Sequence, residues 1–311
     1  MVRNILNLGF GVQSSRLYLA SCLGEMDRYD CAIAADTGNE PNAVYAYLDW
    51  LLGKSKEAGG IPIHVVSAGN LFDDMMNWKR ALADKRRRAR LPFYIFNPKT
   101  GEMGMLTRQC TPTYKAEPIE RFIKESILGL GHNDRWPTDV VVRQHFGISA
   151  DEFRRCAYPV KREKVTEEVG KDLFGNVATE ERERVKPVKW KSHVYPLCDR
   201  EFHNDERQTA LGLTPQTRNN CLAWFDAHGF QRPPRSACKV CPFRSDANWQ
   251  NLKDTSPEEF EEACKFDEDM RDYDNLRGDC YLHNSRMPLR QVDFTDNDYP
   301  MFQCSDGLCG V

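Results

Sequence analysis

Hydrophobic and polar positions along the first 70 residues follow two alternating patterns. The short apolar runs of strand type are NILNL, CAIAA (31–35) and IPIHVVS (61–67). Between these runs, residues 14–23 and the segment NAVYAYLDWLL carry apolar side chains at helical spacing. Strands that alternate with helices predict a parallel sheet with helical crossovers.

The pattern is less regular beyond residue 70. Helical sequence resumes at 71–90, Pro118 opens the amphipathic segment IERFIKESIL, and 139–149 (DVVVRQHFGIS) predicts a strand that runs into a loop. The stretch 161–191 is dominated by Lys, Arg and Glu of mixed sign with little periodicity, which predicts a solvated insertion or a flexible arm. A helix is expected at 256–273, after a serine cap and a proline.

These patterns predict an α/β protein with an open, mostly parallel sheet and helices on both faces. We expect a nucleotide-binding α/β domain at 1–160, a charged insertion at 161–191, and a cysteine-bearing C-terminal region at 192–311 that completes the site.

Composition predicts a soluble, cytoplasmic protein. The 311 residues are 41% hydrophobic and 11% aromatic, no apolar run approaches a membrane span, and the N-terminal apolar stretch is too short for a secretory signal. The formal net charge of -3 argues against a uniformly basic nucleic-acid binder. However, DKRRRAR (84–90) is a strong basic patch, which can contact a nucleic-acid backbone or form one solvated helix face.

The sequence GFGVQSS (9–15) joins the first strand to the first helix. Strand, glycine turn and helix direct backbone N–H groups at an anion. Gly9 and Gly11 allow a close backbone approach, and Ser14 and Ser15 offer hydroxyls to a phosphate. The turn lacks the third glycine of the dinucleotide fingerprint and the lysine of a P-loop. It therefore predicts a phosphate site of another kind or a plain structural turn.

The second strand ends in a polar loop, AADTGNEP (34–41). Asp36 lies at the carboxyl end of a strand that we expect beside the first, which is where open α/β sheets bind ligands. Its carboxylate can accept a hydrogen bond from a ribose or an adenine amine, or hold Mg²⁺. Thr37 and Gly38 continue the same candidate binding loop.

Together these stretches resemble the adenine-nucleotide α-hydrolase superfamily, which includes the PP-loop ATP pyrophosphatases and the PAPS reductases. Gly11 and Ser14 match the second glycine and the final serine of the family's Ser-Gly-Gly-x-Asp-Ser loop, and Gln13 stands at its aspartate. The stretches similar to the PAPS reductase-like branch run from residue 4 to about 265 and include DTGNEPNAVYAYLDWL, RQCTPTYKAEPIERFI, GISADEFRR, YPLCDR, RSACKVCPF and NWQNLKDTSPEEFEEA.

Twelve cysteines in a reducing compartment indicate metal, cluster or redox chemistry rather than a disulfide scaffold. Cys238 and Cys241 form a C-x-x-C whose spacing lets two thiolates reach one metal. In the resembling family, a cysteine at the position of Cys110 joins such a pair to bind a [4Fe-4S] cluster. Zinc or unligated thiols are the alternatives. The fourth ligand is open between an external sulfide and five cysteines: Cys221, Cys264, Cys280, Cys304 and Cys309.

The remaining candidates are charged residues and one terminal thiol. Asp151 and Glu152 in GISADEFRR can bind Mg²⁺ or, with adjacent arginines, clamp a triphosphate, and they equally fit the first turn of a capped helix. Arg218 and Arg244 flank the C-x-x-C segment and can hold phosphate. Cys309 in LCGV is similar to the catalytic tail cysteine of PAPS reductases, and is either a sulfur-carrying thiol or a packed one.

The resemblance implies an ATP pyrophosphatase that adenylates an acceptor for sulfur insertion, with Ser14, Ser15, Asp36 and Cys309 as catalytic candidates. The turn binds ATP, an acceptor oxygen attacks the α-phosphate, pyrophosphate leaves, and sulfur displaces AMP. The proteins of DNA phosphorothioation systems match this outline, with DNA as acceptor and a cysteine desulfurase as sulfur source. Two alternatives stay open: a phosphoadenosine or adenosine phosphosulfate reductase, and a non-catalytic nucleotide- or cluster-binding subunit.

Overall fold

A computed structural model describes residues 2–77, 91–171, 177–274 and 277–295 of the protein. Their strands are β1 (Arg3–Asn7), β2 (Cys31–Asp36), β3 (Ile63–Ser67), β4 (Tyr94–Phe96), β5 (Met103–Met105), β6 (Val142–Phe146), β7 (Val160–Lys171), β8 (Val177–Pro187), β9 (Lys191–Tyr195), β10 (Arg200–Phe202), β11 (Gln208–Ala210) and β12 (Asp279–Tyr281). Their α-helices are α1 (Val12–Cys22), α2 (Asn42–Ser55), α3 (Leu71–Met76), α4 (Glu117–Phe122), α5 (Arg218–Ala227), α6 (Asp246–Thr255) and α7 (Pro257–Asp269).

The central sheet has the strand order β11-β10-β9-β6-β1-β2-β3. The five strands from β9 to β3 run parallel, whereas β10 and β11 extend the edge in antiparallel fashion. From β1 the chain first builds β2 and β3 on one side and later β6 and β9 on the other. The order therefore reverses between β1 and β6, and open α/β sheets bind ligands at the carboxyl ends of such a pair.

Helices cover both faces of this sheet, as the sequence predicts. On one face, α1, α2 and α5 pack on Leu6, Ala32 and Ala34 of the two central strands. On the other face, Ile119 and Ile123 pack on the residues of opposite orientation in the same strands, Ile5, Cys31, Ile33 and Ala35. Because side chains alternate along a strand, apolar residues at consecutive positions bury both faces.

The helical segment around α4 is longer than the sequence predicts. Two π-helical turns, Pro112–Ala116 and Ile123–Ile127, flank α4, so helical backbone begins before Pro118. In contrast, α7 lies within the helix predicted at 256–273. The predicted helix at 71–90 is described only to Met76. Most of its remainder, with the basic patch 84–90, lies outside the described residues.

A second core joins early and late parts of the chain. The antiparallel sheet β12-β4-β5 and helices α3, α6 and α7 enclose buried residues such as Phe93, Trp249 and Phe266. Cys110 and Cys238 pack at its border. Strands β9 to β11, which belong to the predicted C-terminal region, are instead part of the central sheet.

The mixed-charge stretch, predicted to be a solvated insertion or a flexible arm, contains a two-stranded ribbon, β7–β8. Its antiparallel pairing runs from Val160 opposite Pro187 to Lys171 opposite Val177. In such a ribbon alternate residues of each strand pair with the other strand, and their remaining backbone groups face outward. None of the helices within the described ranges is long and apolar enough to cross a lipid bilayer.

Candidate functional site

A cleft of about 870 Å³ opens where the order of the central sheet reverses. One wall consists of Gly11, Gln13 and Ser14, which follow β1, and of Gly147 and residues 150–155, which follow β6. Residues between 108 and 115 and between 234 and 245 also line the cleft. The cleft therefore lies at the carboxyl ends of β1 and β6, the expected position for a ligand in this type of sheet.

The turn after β1 gets its shape from Phe10 rather than from a glycine. Phe10 is buried and has a φ of 57°, a left-handed conformation that is uncommon for a non-glycine residue. Gly11 has a φ of -86°, and a β-carbon there would meet only the Ser236 side chain, at 3.8 Å. The surrounding protein therefore has room for a side chain at position 11, and the close approach of the Gly11 backbone to a ligand stays a prediction. The Gly9 carbonyl accepts a hydrogen bond from Ser236 Oγ.

The two serines of the turn have different positions. Ser14 lines the cleft, and its hydroxyl accepts from Gly9 N at 3.2 Å and donates to the Gly11 carbonyl at 3.4 Å. Ser15 has no exposed surface and lies beside the hydroxyl of Tyr47, so it does not meet a ligand in the cleft. Helix α1 has no side-chain cap, which leaves the N–H groups of its first turn for another acceptor.

Gln13, at the position of the family's aspartate, connects three elements. Its amide nitrogen donates to Glu152 Oε2 at 2.9 Å and to Ser149 Oγ at 3.3 Å, and its oxygen accepts from Arg218 Nη1 at 3.1 Å. Glu152 also binds Arg155, at 2.7 Å. Gln13 thus orients charged groups of the cleft wall instead of offering a carboxylate to a metal.

The cleft is predominantly cationic in a chain of net charge -3. Its lining holds two acids, Asp151 and Glu152, against six cations: Arg108, Lys115, Arg154, Arg155, Arg218 and Arg235. Burial disfavours the charged form of Asp151, but hydrogen bonds from Ser149 and from the backbone N–H of Arg218 outweigh it and lower the pKa of Asp151. The arrangement is suited to a polyanionic ligand.

The loop after β2 does not bring Asp36 into the cleft. Asp36 Oδ1 accepts from Gly38 N at 2.8 Å and from the Tyr45 hydroxyl at 2.9 Å. Gly38 has a φ of 70°, and a β-carbon there would lie 3.0 Å from Asn70, so this position requires glycine. Asp36 and Gly38 therefore shape the loop, and they are not among the described residues that line the cleft.

The same loop instead places Thr37 and Glu40 beside the predicted metal ligands. Thr37 Oγ1 lies 3.2 Å from Cys238 Sγ and from Glu40 Oε1. Glu40 is 2% exposed, and its Oε1 accepts from Cys238 Sγ at 3.6 Å. Its Oε2 has no partner among the described residues. Lys115 Nζ lies 3.9 Å from Glu40 Oε1.

The three predicted ligand cysteines all line the cleft. Cys238 and Cys241 come from the C-x-x-C loop, and Cys110 precedes the helical segment around α4. Burial raises the pKa of Cys110, and the neighbouring Cys241 adds to this effect. Burial and then Glu40 raise the pKa of Cys238. Burial opposes the charge of Lys115, yet Glu40 and then the thiols raise its pKa.

Among the described residues, Arg244 and the cysteines other than Cys110, Cys238 and Cys241 do not line the cleft. The Arg244 guanidinium donates to the carbonyls of Ala237 at 2.9 Å and Cys238 at 3.2 Å, so it holds the C-x-x-C loop rather than a phosphate. The open candidates for a fourth ligand that are described are buried in the two cores: Cys221, Cys264 and Cys280. Cys304 and Cys309 lie outside the described residues, so the catalytic role of Cys309 stays a prediction.

The donor chemistry of the site suits a soft metal or an iron–sulfur cluster, because three thiols line the cleft. Beside them, the buried Glu40 Oε2 has no partner in the part of the chain that the structure describes. The present spacing is not that of a loaded site. Within the described ranges, no three His, Cys, Asp or Glu side chains are grouped closely enough to hold an ion as they stand. Binding would therefore draw the thiols together.

Sequence reasoning missed Glu40, Lys115 and Gly147. Glu40 lies in AADTGNEP and Lys115 in RQCTPTYKAEPIERFI, where other residues were the candidates. Neither residue has a sequence spacing to the cysteines that would indicate a shared site. Gly147 follows a predicted strand, and a side chain there would collide with the first turn of α1.

Comparison of the chain with family models, curated proteins and solved structures gives no match.

Proposed function

We propose that the protein is an ATP pyrophosphatase that adenylates an acceptor for sulfur insertion. The observation that carries this proposal is the combination, in one cleft at the reversal point of the sheet, of six cationic side chains with three cysteines. A polyphosphate needs the former, and sulfur chemistry needs the latter. The resemblance to PP-loop ATP pyrophosphatases and PAPS reductases supports the same combination.

In this proposal the triphosphate of ATP lies against the first turn of α1. The uncapped N–H groups there, with Arg218 and Arg155, would face the charge that develops on the departing pyrophosphate. The pairing of Arg218 with Gln13 fixes the direction of its guanidinium before the ligand arrives. Asp151 keeps its negative charge and would hold Mg²⁺ beside the phosphates.

Cys110, Cys238 and Cys241 would hold the [4Fe-4S] cluster or, as the alternative, Zn²⁺. When bound, such a cluster supplies an iron coordination position at which sulfide can bind. Glu40 and Lys115 would provide a charged environment with little water beside these cysteines. Glu40 is buried, and Lys115, which lines the cleft, lies next to it. A cysteine desulfurase is the proposed sulfur source.

A DNA backbone phosphate is the proposed acceptor. Two cleft-lining arginines, Arg154 and Arg235, are exposed to solvent, and they have the chemistry of phosphate contacts. An acceptor phosphate held there would lie at the mouth of the same cleft that holds ATP.

The test measures ATP affinity and pyrophosphate release, for the wild type and for Ser14→Ala. Loss of the Ser14 hydroxyl removes its hydrogen bonds to Gly9 and Gly11 and a donor that lines the cleft. We therefore expect turnover to fall by about ten- to a hundredfold, which corresponds to a rise of about 1.5–3 kcal/mol in the activation free energy. Metal content and circular dichroism serve as folding controls. Tight binding of PAPS without ATP affinity would identify a reductase, and absence of both would refute the nucleotide hypothesis.

A further inference from the structure

Two thiols outside the cleft lie next to each other. Cys156 Sγ donates to Cys198 Sγ at 3.8 Å, although 42 residues separate them in sequence. Cys156 follows directly after Arg155 of the cleft wall, and Cys198 ends the short helical turn Pro196–Cys198 between β9 and β10. The pair therefore joins the cleft wall to the central sheet.

Neighbouring hydrogen bonds hold the two thiols in this position. The Tyr195 hydroxyl accepts from Ala157 N at 2.9 Å, which fixes the residue after Cys156 to strand β9. The Cys198 thiol donates to the Ile148 carbonyl at 3.2 Å, in the loop after β6. Ala157 is thus tied to β9 and the Cys198 side chain to the loop after β6, and disulfide formation brings the sulfurs from 3.8 Å to roughly 2.05 Å.

The two thiols also differ in access. Cys156 is half-buried and Cys198 is buried, so an oxidant reaches Cys156 first. A more accessible thiol beside a buried one is the arrangement of an oxidised and a resolving cysteine.

We propose that Cys156 and Cys198 are a redox-active dithiol that forms a reversible intramolecular disulfide under peroxide. Cys156 is oxidised to a sulfenic acid while hydrogen peroxide is reduced to water. The Cys198 sulfur then attacks the Cys156 sulfur, the S–S bond forms, and the sulfenic oxygen leaves as a second water. A dithiol reductant restores both thiols by exchange.

The disulfide closes a loop that contains the whole β7–β8 ribbon. It ties the segment Ala150–Arg155, which carries the charged cleft wall, to the turn after β9. Oxidation therefore stiffens one side of the cleft, and it does so without using Cys110, Cys238 or Cys241.

Peptide mapping tests the proposal directly on the wild-type chain. After a brief treatment with hydrogen peroxide and blocking of free thiols, trypsin releases residues 156–161 (CAYPVK) and 192–200 (SHVYPLCDR). We expect most of both peptides as one linked species whose mass is the sum of the two less two hydrogens. Dithiothreitol should separate them again, and the Tm of the oxidised protein should exceed that of the reduced protein.

Cys22→Ser provides the matched control, because Cys22 is half-buried like Cys156 and lies on α1, outside the pair. This variant should still give the linked peptides, whereas Cys156→Ser should lose them and the rise in Tm. Recovery of Cys156 as a sulfinic acid with Cys198 free, or recovery of both thiols unmodified, would overturn the proposal. The mapping reads a covalent bond, so its result is independent of ATP binding.

Discussion

Gly147 lies so close to the first turn of α1 that a β-carbon on it would come within 2.6 Å of Ser14 Cα. At this point the loop after β6 and the helix after β1 approach each other backbone to backbone. Because both segments line the cleft, the width of this side of the cleft depends on the absence of a side chain at position 147.

Gly147→Ala should thus be destabilising. The added methyl group meets backbone rather than a flexible side chain, so we expect the free energy of unfolding to fall by about 1–3 kcal/mol and ATP affinity to fall with it. Urea denaturation measures the first effect. The control is Gly104→Ala in β5, where a β-carbon meets nothing within 4 Å. If both variants unfold alike, the contact is not tight.

Arg218→Gln should weaken ATP binding. The change removes a positive charge from the cleft and the hydrogen bond to Gln13, and we expect affinity to fall about tenfold. Titration calorimetry gives the affinity of each variant. Arg232→Gln is the matched control, since Arg232 is exposed and pairs with Asp226 outside the cleft. An equal loss in both variants would mean that general charge, and not the cleft, attracts ATP.

Cys238→Ser should abolish metal binding. We expect anaerobically prepared wild-type protein to be brown and to contain iron and sulfide, and the variant to be colourless, because two thiols hold a cluster poorly. Visible spectra with iron, zinc and sulfide analysis decide this, with Cys22→Ser as control. Stoichiometric zinc without iron would replace the cluster by a zinc site, and a brown, stable Cys238→Ser protein would refute the ligand assignment.

The stability of the protein should decrease in mild acid because of His145. Burial, and then Arg143, lower the pKa of His145 to about 3. The unfolded chain takes up a proton below about pH 6.5, whereas the folded chain stays neutral at this residue. The free energy of unfolding therefore falls by about 1.4 kcal/mol for each pH unit from 6.5 towards 3 on account of this residue.

His145→Gln should remove that part of the slope, since a glutamine nitrogen can still reach Asn4 Oδ1, the present partner of His145 Nε2 at 3.2 Å. Urea denaturation between pH 4.5 and 7 (roughly the window in which the proton is taken up) provides the measurement. His132→Gln, at an exposed histidine, should keep the wild-type slope. An unchanged slope in His145→Gln would show that His145 protonates in the folded state.

The alternation of strand and helix signals identified the first half of the sheet, because β1, α1, β2, α2 and β3 each have a clear period. That pattern does not predict the order of the strands in the sheet, because buried parallel strands are all similar apolar runs and their sequences do not show which strands are neighbours. Asp36 and Gly38 after β2 were therefore expected at the ligand site but do not line the cleft, whereas Asp151 and Glu152 after β6 do. The resemblance to a known family added Cys110 to the C-x-x-C pair, and local sequence suggested Asp151 and Arg218. Glu40 and Lys115 are visible only in three dimensions, because no spacing relates them to the cysteines.

The β7–β8 ribbon begins and ends on paired residues, Val160 and Pro187, and the neighbouring Val188 N donates to Pro159 O at 2.7 Å. The chain thus leaves the body of the protein and returns to it at one point. Removing or adding the same number of residues in both strands keeps the two ends together, and it leaves the connection from β6 to β9 unchanged. Insertions of very different length are therefore compatible with the same sheet, and this ribbon is the natural place to graft a reporter or an affinity tag.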